Sequence, residues 1–154
     1  MKSRIDIGRV APGVYDAMDA LDRYIQTCGL EESLLHLVRL RASQINGCAY
    51  CIDMHWKDLR AHGESEQRLY SLDAWREFLW YTDRERSALA WTEAVTRLGE
   101  EHVSAIIYEA VKPSFTEKEL ADLTLAVAAI NAWNRISISA RLVPGGYEPA
   151  VTAQ

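Results

Sequence analysis

The sequence predicts a single all-α domain. Three observations lead there. Apolar residues recur at three- and four-residue spacing along most of the 154 residues, the mark of helices with one buried face. The period-two alternation of half-buried strands is absent. Two Thr-x-x-Glu segments, Thr82 with Glu85 and Thr116 with Glu119, precede apolar periodic runs, where capping boxes open helices. One core suits this length.

The elements follow in order. A first helix is expected from Pro12 to Cys28, because proline fits a first turn and Gly29 closes a last one. Val14, Ala17, Met18, Leu21, Tyr24, Ile25 and Cys28 fall on one face of it. A second spans Glu32–Ile45, with Leu34, Leu37, Val38, Leu40 and Ile45 as core residues. Asn46-Gly47 breaks it, since both tolerate left-handed backbone. A third starts at Cys48 and ends before Gly63. A short piece over Glu66–Trp75 reaches Trp80. The Thr82 box opens a helix ending near Gly99, and another spans Glu101–Val111 before Pro113. The Thr116 box opens the longest, with Leu120, Leu123, Val127, Ile130, Asn134 and Ile138 on one face, ended by Pro144-Gly145-Gly146. The core is expected over residues 12–141, with a loose C-terminal tail over 142–154.

Charge narrows the function. With 17 basic and 22 acidic residues the net charge is −5, and no run of like charge interrupts it, so nucleic acid and anionic membrane are not expected partners. No apolar run is long enough to span a bilayer. The basic N-terminus lacks the apolar core of a secretory signal, so a cytoplasmic home is expected. There, a close cysteine pair indicates redox or metal chemistry rather than a structural bridge.

That pair lies in Gly47-Cys-Ala-Tyr-Cys-Ile-Asp-Met-His55. Cys48 and Cys51 are three apart and share a helical face, close enough for a disulfide after modest adjustment. His55 follows Cys51 by one turn, placed to take a thiol proton. A thiol is mostly un-ionised at neutral pH, and both a helix N-terminus and a histidine partner favour its thiolate. The residues alone leave three readings open: a dithiol redox centre, a zinc site using Cys48, Cys51 and His55, or small cysteines buried in a core. Zinc modules usually present two ligand pairs, and no spacing singles out His36, His62 or His102 as a fourth ligand. The βαβ setting of a thioredoxin motif is also missing.

The stretch Leu37-Val-Arg-Leu-Arg-Ala-Ser-Gln-Ile-Asn-Gly-Cys-Ala-Tyr-Cys-Ile-Asp-Met-His55 resembles the core motif of the alkylhydroperoxidase AhpD-like branch of the carboxymuconolactone decarboxylase superfamily. Glu66–Tyr70, Asp73–Glu77, Phe115–Thr124 and Ile130–Arg135 resemble its peroxidase-related subgroup, so the likeness runs from about Pro12 to Arg141. It implies an AhpD-like helical bundle that assembles into trimers or hexamers, and an antioxidant thiol peroxidase that needs no metal, haem or flavin. By that resemblance Cys51 attacks the hydroperoxide, Cys48 resolves the sulfenic acid and His55 relays protons. A dithiol reductant, lipoyl-linked in the best-known members, then reopens the disulfide. The family's relay glutamate, twelve residues before the first cysteine, is here His36, and a histidine seen in characterised peroxidases is here Tyr50. Either His36 takes the relay role, or another acid such as Glu32 or Asp53 reaches the site. The rival reading is a dithiol exchange or redox-sensor protein without peroxide turnover.

Other residues carry structural expectations. Cys28 is expected in the core, His62 as a helix cap and His102 in solvent. Asn131 and Asn134, inside an apolar helix, need hydrogen-bond partners and are expected to bridge helices. Arg39 and Arg41 are expected in solvent or paired across a subunit contact, and Ser43 and Gln44 near the cysteines. The five tryptophans suit an interface or a core.

Overall fold

The computed structural model describes residues 2–100 and 102–149. Eight α-helices appear among them and no strand: α1 (Ile7–Val10), α2 (Pro12–Gln26), α3 (Glu32–Asn46), α4 (Ala49–Ala61), α5 (Glu66–Tyr70), α6 (Asp83–Thr96), α7 (Ala105–Val111) and α8 (Glu117–Ala140). Short 3-10 turns at Leu72–Ala74 and Lys112–Ser114 follow α5 and α7.

Helix α3 is the axis of the molecule, packed against α4, α6 and α8. Its run Leu34, Leu35, His36, Leu37, Val38 is buried on every side, as a helix without a solvent face must be. Leu34, Leu35 and Val38 join Ile25 of α2, Trp91 of α6 and Leu123 and Val127 of α8 in one core. Leu37 and Leu40 turn the other way, to Leu59 of α4, Leu69, Leu72, Trp75 and Leu89.

Most polar groups in this interior are paired, as burial requires; His36 Nδ1 and the two ring nitrogens of His55 are without a hydrogen-bond partner among the described residues. Asn46 donates to Asn131 Oδ1 (2.9 Å) and Asn134 Oδ1 (2.8 Å), and Asn134 donates to Ser43 Oγ (3.0 Å). Both asparagines thus bridge α3 to α8. Arg41 is buried and paired inside the chain rather than solvated. Its Nε donates to Glu93 Oε1 (2.9 Å), Trp75 Nε1 donates to the same oxygen (2.9 Å) and Arg76 donates to Oε2 (2.6 Å). Arg39 pairs with Asp22 at 3.2 Å, whose other oxygen accepts from Trp133 Nε1 (2.8 Å).

Both capping boxes are formed, at Thr82–Glu85 and Thr116–Glu119. Gly47 ends α3 at φ +68°. Other boundaries move. Helix α2 stops at Gln26, two residues short of Cys28, because Thr27 leaves helical geometry and Gly29 turns left-handed. Cys28 still packs against the core. The α2 stripe is only half used: Met18 and Ile25 are buried, whereas Val14, Leu21 and Tyr24 are exposed. Helix α7 begins at Ala105, where Ser104 caps the Ile107 amide, rather than at Glu101, which lies outside the described residues. Exposed His102 precedes it. Helix α8 ends at Arg141, itself left-handed at φ +54°, before the Pro-Gly-Gly segment is reached. Residues 145–147 are fastened rather than loose. Lys57 Nζ donates to the Gly145 and Tyr147 carbonyls (3.2 and 3.0 Å), and Asp53 accepts from the Gly145 amide (3.0 Å). Residues 150–154 of the expected tail lie outside the described residues. No helix among those described is long and apolar enough to cross a membrane.

Candidate active site

The break at Gly47 delivers Cys48 to the N-cap of α4, one position before the first turn expected for it. Its sulfur accepts the Cys51 amide at 3.4 Å. Cys51 is therefore the cysteine inside the first helical turn, where unpaired amides and the helix dipole favour a negative sulfur. The two form a disulfide with Cα atoms 5.4 Å apart. Both are buried, but only Cys51 lines the adjoining cavity of about 690 Å³. Cys48 stands behind it.

One face of α4 supplies the chemistry. Cys51, His55, Asp58 and His62 follow at four-, three- and four-residue steps, and all line that cavity. His36 enters from α3, which packs along α4. Asp58 sits between the two inner imidazoles: Oδ2 is 3.5 Å from His55 Nδ1 and 3.7 Å from His36 Nδ1. Its Oδ1 accepts from the Tyr147 hydroxyl at 2.7 Å. Farther out, Glu32 lies 3.9 Å from His36 Nε2 and 3.5 Å from His62 Nε2. His62 caps α4 as expected, with Nδ1 2.8 Å from the Asp58 carbonyl. Tyr15, Tyr50, Met54 and Trp133 add aromatic and apolar surface to the same cavity.

Burial sets the protonation of these groups. It pushes the His36 pKa down to about 4, and the neighbouring His55 adds to this against the pull of Asp58. Burial likewise lowers His55, opposed by Asp58. Asp58 falls below the usual carboxylate value although burial resists, because His55 and Tyr147 stabilise its charge. Tyr147 is raised by burial and by that same carboxylate. Near neutral pH the site thus holds neutral imidazoles beside an ionised acid. That state accepts a proton and stabilises the cation formed.

Sequence reasoning brought Cys48, Cys51, His55 and His36 forward, and the structure gathers all four. It separates others. Asp53 serves Lys57 and the Gly145 amide. Glu32, by contrast, lines the cavity at its mouth, 3.9 Å from His36 Nε2. Ser43 binds Asn134 and Gln44 binds Arg41, and neither lines the cavity. The acid between the histidines is Asp58, which sequence reasoning passed over. Its signal was present, because three residues after His55 is the same helical face. Tyr147 had no such signal, being 89 residues from Asp58.

Residues 12–94 match the carboxymuconolactone decarboxylase family. The chain is 37% identical over 139 residues to the uncharacterized protein YdfG of Bacillus subtilis, covering 90% of this chain and 95% of that one. The chain is an AhpD-like member of the carboxymuconolactone decarboxylase family. The crystal structure of ATU0492 from Agrobacterium tumefaciens, a protein of unknown function provisionally assigned as an antioxidant defence protein AhpD, superposes with a TM-score of 0.88. It is 40% identical, over 97% of this chain and 99% of that one. An uncharacterized peroxidase-related protein from Ralstonia eutropha with an alkylhydroperoxidase AhpD core is 20% identical, with a TM-score of 0.77 over 88% and 73% of the two chains. At that identity the likeness speaks for the fold alone.

Proposed function

We propose that this AhpD-like protein is a thiol peroxidase. The observation that carries the reading is a bonded Cys48–Cys51 pair whose second sulfur is in a helix's first turn and faces the cavity holding His55, Asp58 and His36. In the reduced protein, His55 takes the Cys51 thiol proton. The thiolate attacks the distal peroxide oxygen, the O–O bond breaks and the alkoxide leaves with the proton carried by His55. Cys51 is then a sulfenic acid. The Cys48 thiol displaces its hydroxyl as water and forms the disulfide. An external dithiol supplies two electrons and two protons to reopen it; a lipoyl-linked protein is the proposed source. Asp58 keeps His55 oriented and stabilises its cation. His36 shares that carboxylate and extends the relay toward Glu32. The exposed Val14, Leu21 and Tyr24 stripe on α2 supports self-association with further copies of this chain.

The test is a thiol count and intact mass of reduced protein before and after one equivalent of tert-butyl hydroperoxide. Loss of two thiols and two hydrogens, mapped to Cys48 and Cys51, is expected. Cys51→Ser should consume no peroxide, and Cys48→Ser should stop after one sulfenic acid. An unchanged thiol count, with the pair still oxidised by a disulfide reagent, would overturn the peroxidase reading in favour of dithiol exchange.

A further inference from the structure

His62 has no part in the thiol cycle and Glu32 stands only at the outer end of its relay, yet both converge with His36 at the cavity mouth. One donor atom from each of the three lies within 4.8 Å of the other two. The geometry points to a divalent metal site made by Glu32, His36 and His62, of a kind suited to Zn²⁺, with its remaining position open to the cavity.

Four observations support it. The spacing is close to a coordination shell. Zinc bonds of about 2.0–2.1 Å in tetrahedral geometry put neighbouring donors about 3.3–3.4 Å apart; the Glu32 carboxylate straddles the two rings, Oε2 3.5 Å from His62 Nε2 and Oε1 3.9 Å from His36 Nε2, so a sub-ångström closure brings one of its oxygens into the shell. The rings are posed to converge. Two imidazoles on one tetrahedral ion have centroids about 5 Å apart, and those of His36 and His62 are 5.3 Å apart. Each imidazole meets an oxygen of Asp58 on its far side. His62 Nδ1 donates to the Asp58 carbonyl at 2.8 Å, which leaves the Nε2 lone pair free. His36 Nδ1, buried and without a hydrogen-bond partner among the described residues, faces Asp58 Oδ2 at 3.7 Å. A carboxylate behind a ligating histidine is the usual means of orienting it and raising its basicity. Finally, the charge balances, because Glu32 and Asp58 match a divalent ion while Arg39 is already paired with Asp22.

Two nitrogens and one carboxylate oxygen favour zinc over magnesium or calcium, which prefer all-oxygen shells. The cavity position left open admits water or an anionic ligand. This site uses neither cysteine, so it differs from the Cys48, Cys51 and His55 set considered from sequence, and the disulfide form can bind.

The experiment titrates Co²⁺ into the disulfide form of Cys28→Ser protein, so that no free thiol competes, and follows the visible absorption of low-coordinate Co²⁺. One equivalent is expected to bind, and Zn²⁺ to displace it. Glu32→Gln and His62→Ala remove solvent-accessible side chains and should each weaken binding by about 10–100-fold or more, the scale already set by losing a ligand's supporting group. Circular dichroism of both variants should match the parent. Absence of saturable Co²⁺ binding would overturn the proposal. So would undiminished binding in either variant, which would instead place the ion among His36, His55 and Asp58.

Discussion

Acidification should destabilise this protein through His36, by an amount that can be worked out. His36 is 8% exposed and faces His55, Asp58, Arg39 and His62. Its pKa falls from 6.5 in the unfolded chain to about 4 in the folded one. Between those values the unfolded chain holds the extra proton. Stability from this group is therefore full above pH 6.5 and falls with pH until about 4. The two values give a loss of about 2 kcal/mol at pH 5 and about 3 kcal/mol once pH is below 4. His55 is shifted in the same direction and adds to the loss. Asp58 works on a different window, its stabilisation being lost only as pH falls below the usual carboxylate value. The assay is urea unfolding of the disulfide form, with a chelator present, at about pH 7.5 and 5. His36→Gln removes one titration and keeps the others. Wild type should lose about 2 kcal/mol more than the variant between those two pH values. Equal losses would refute the argument that burial keeps His36 neutral.

Three further predictions follow from particular contacts. Asp58→Asn removes the charge beside His55 and His36 and should slow Cys51 oxidation by tert-butyl hydroperoxide about 10²-fold in stopped flow, the low end of acid–base contributions, with the disulfide still able to form; an unaltered rate would remove Asp58 from the relay. Tyr147→Phe deletes one hydrogen bond to that carboxylate, so the same assay should show a drop of about tenfold, from about 1.5 kcal/mol for a bond to a charged group. Glu93→Ala leaves buried Arg41 with only Asp73 and Gln44 and frees Trp75 Nε1 and Arg76; urea unfolding should register a loss of about 3 kcal/mol, the low end for breaking a buried pair.

Much of the fold was legible because its cues are local. Thr82–Glu85 and Thr116–Glu119 satisfy amides within one turn, so the sequence states both the signal and its effect. Helix ends without such a device moved. Arg141 adopts a left-handed turn that no residue preference foretold, and the Val14, Leu21 and Tyr24 stripe reads as core although it is exposed among the described residues.

The site divides along the same line. Gly47, Cys48, Cys51, His55, Asp58 and His62 are ordered by one turn and one helix, whose period fixes which side chains share a face. That part belongs to the sequence itself, including Asp58. Neither the distance from His36 to Asp58 nor the approach of Tyr147 has such a period behind it. They arise because α3 packs along α4 and because Lys57 and Asp53 fasten residues 145–147 beside it. Helix periodicity is a property of the backbone within one element. The meeting of separate elements depends on how their side chains fill a shared core, and only the folded chain decides that.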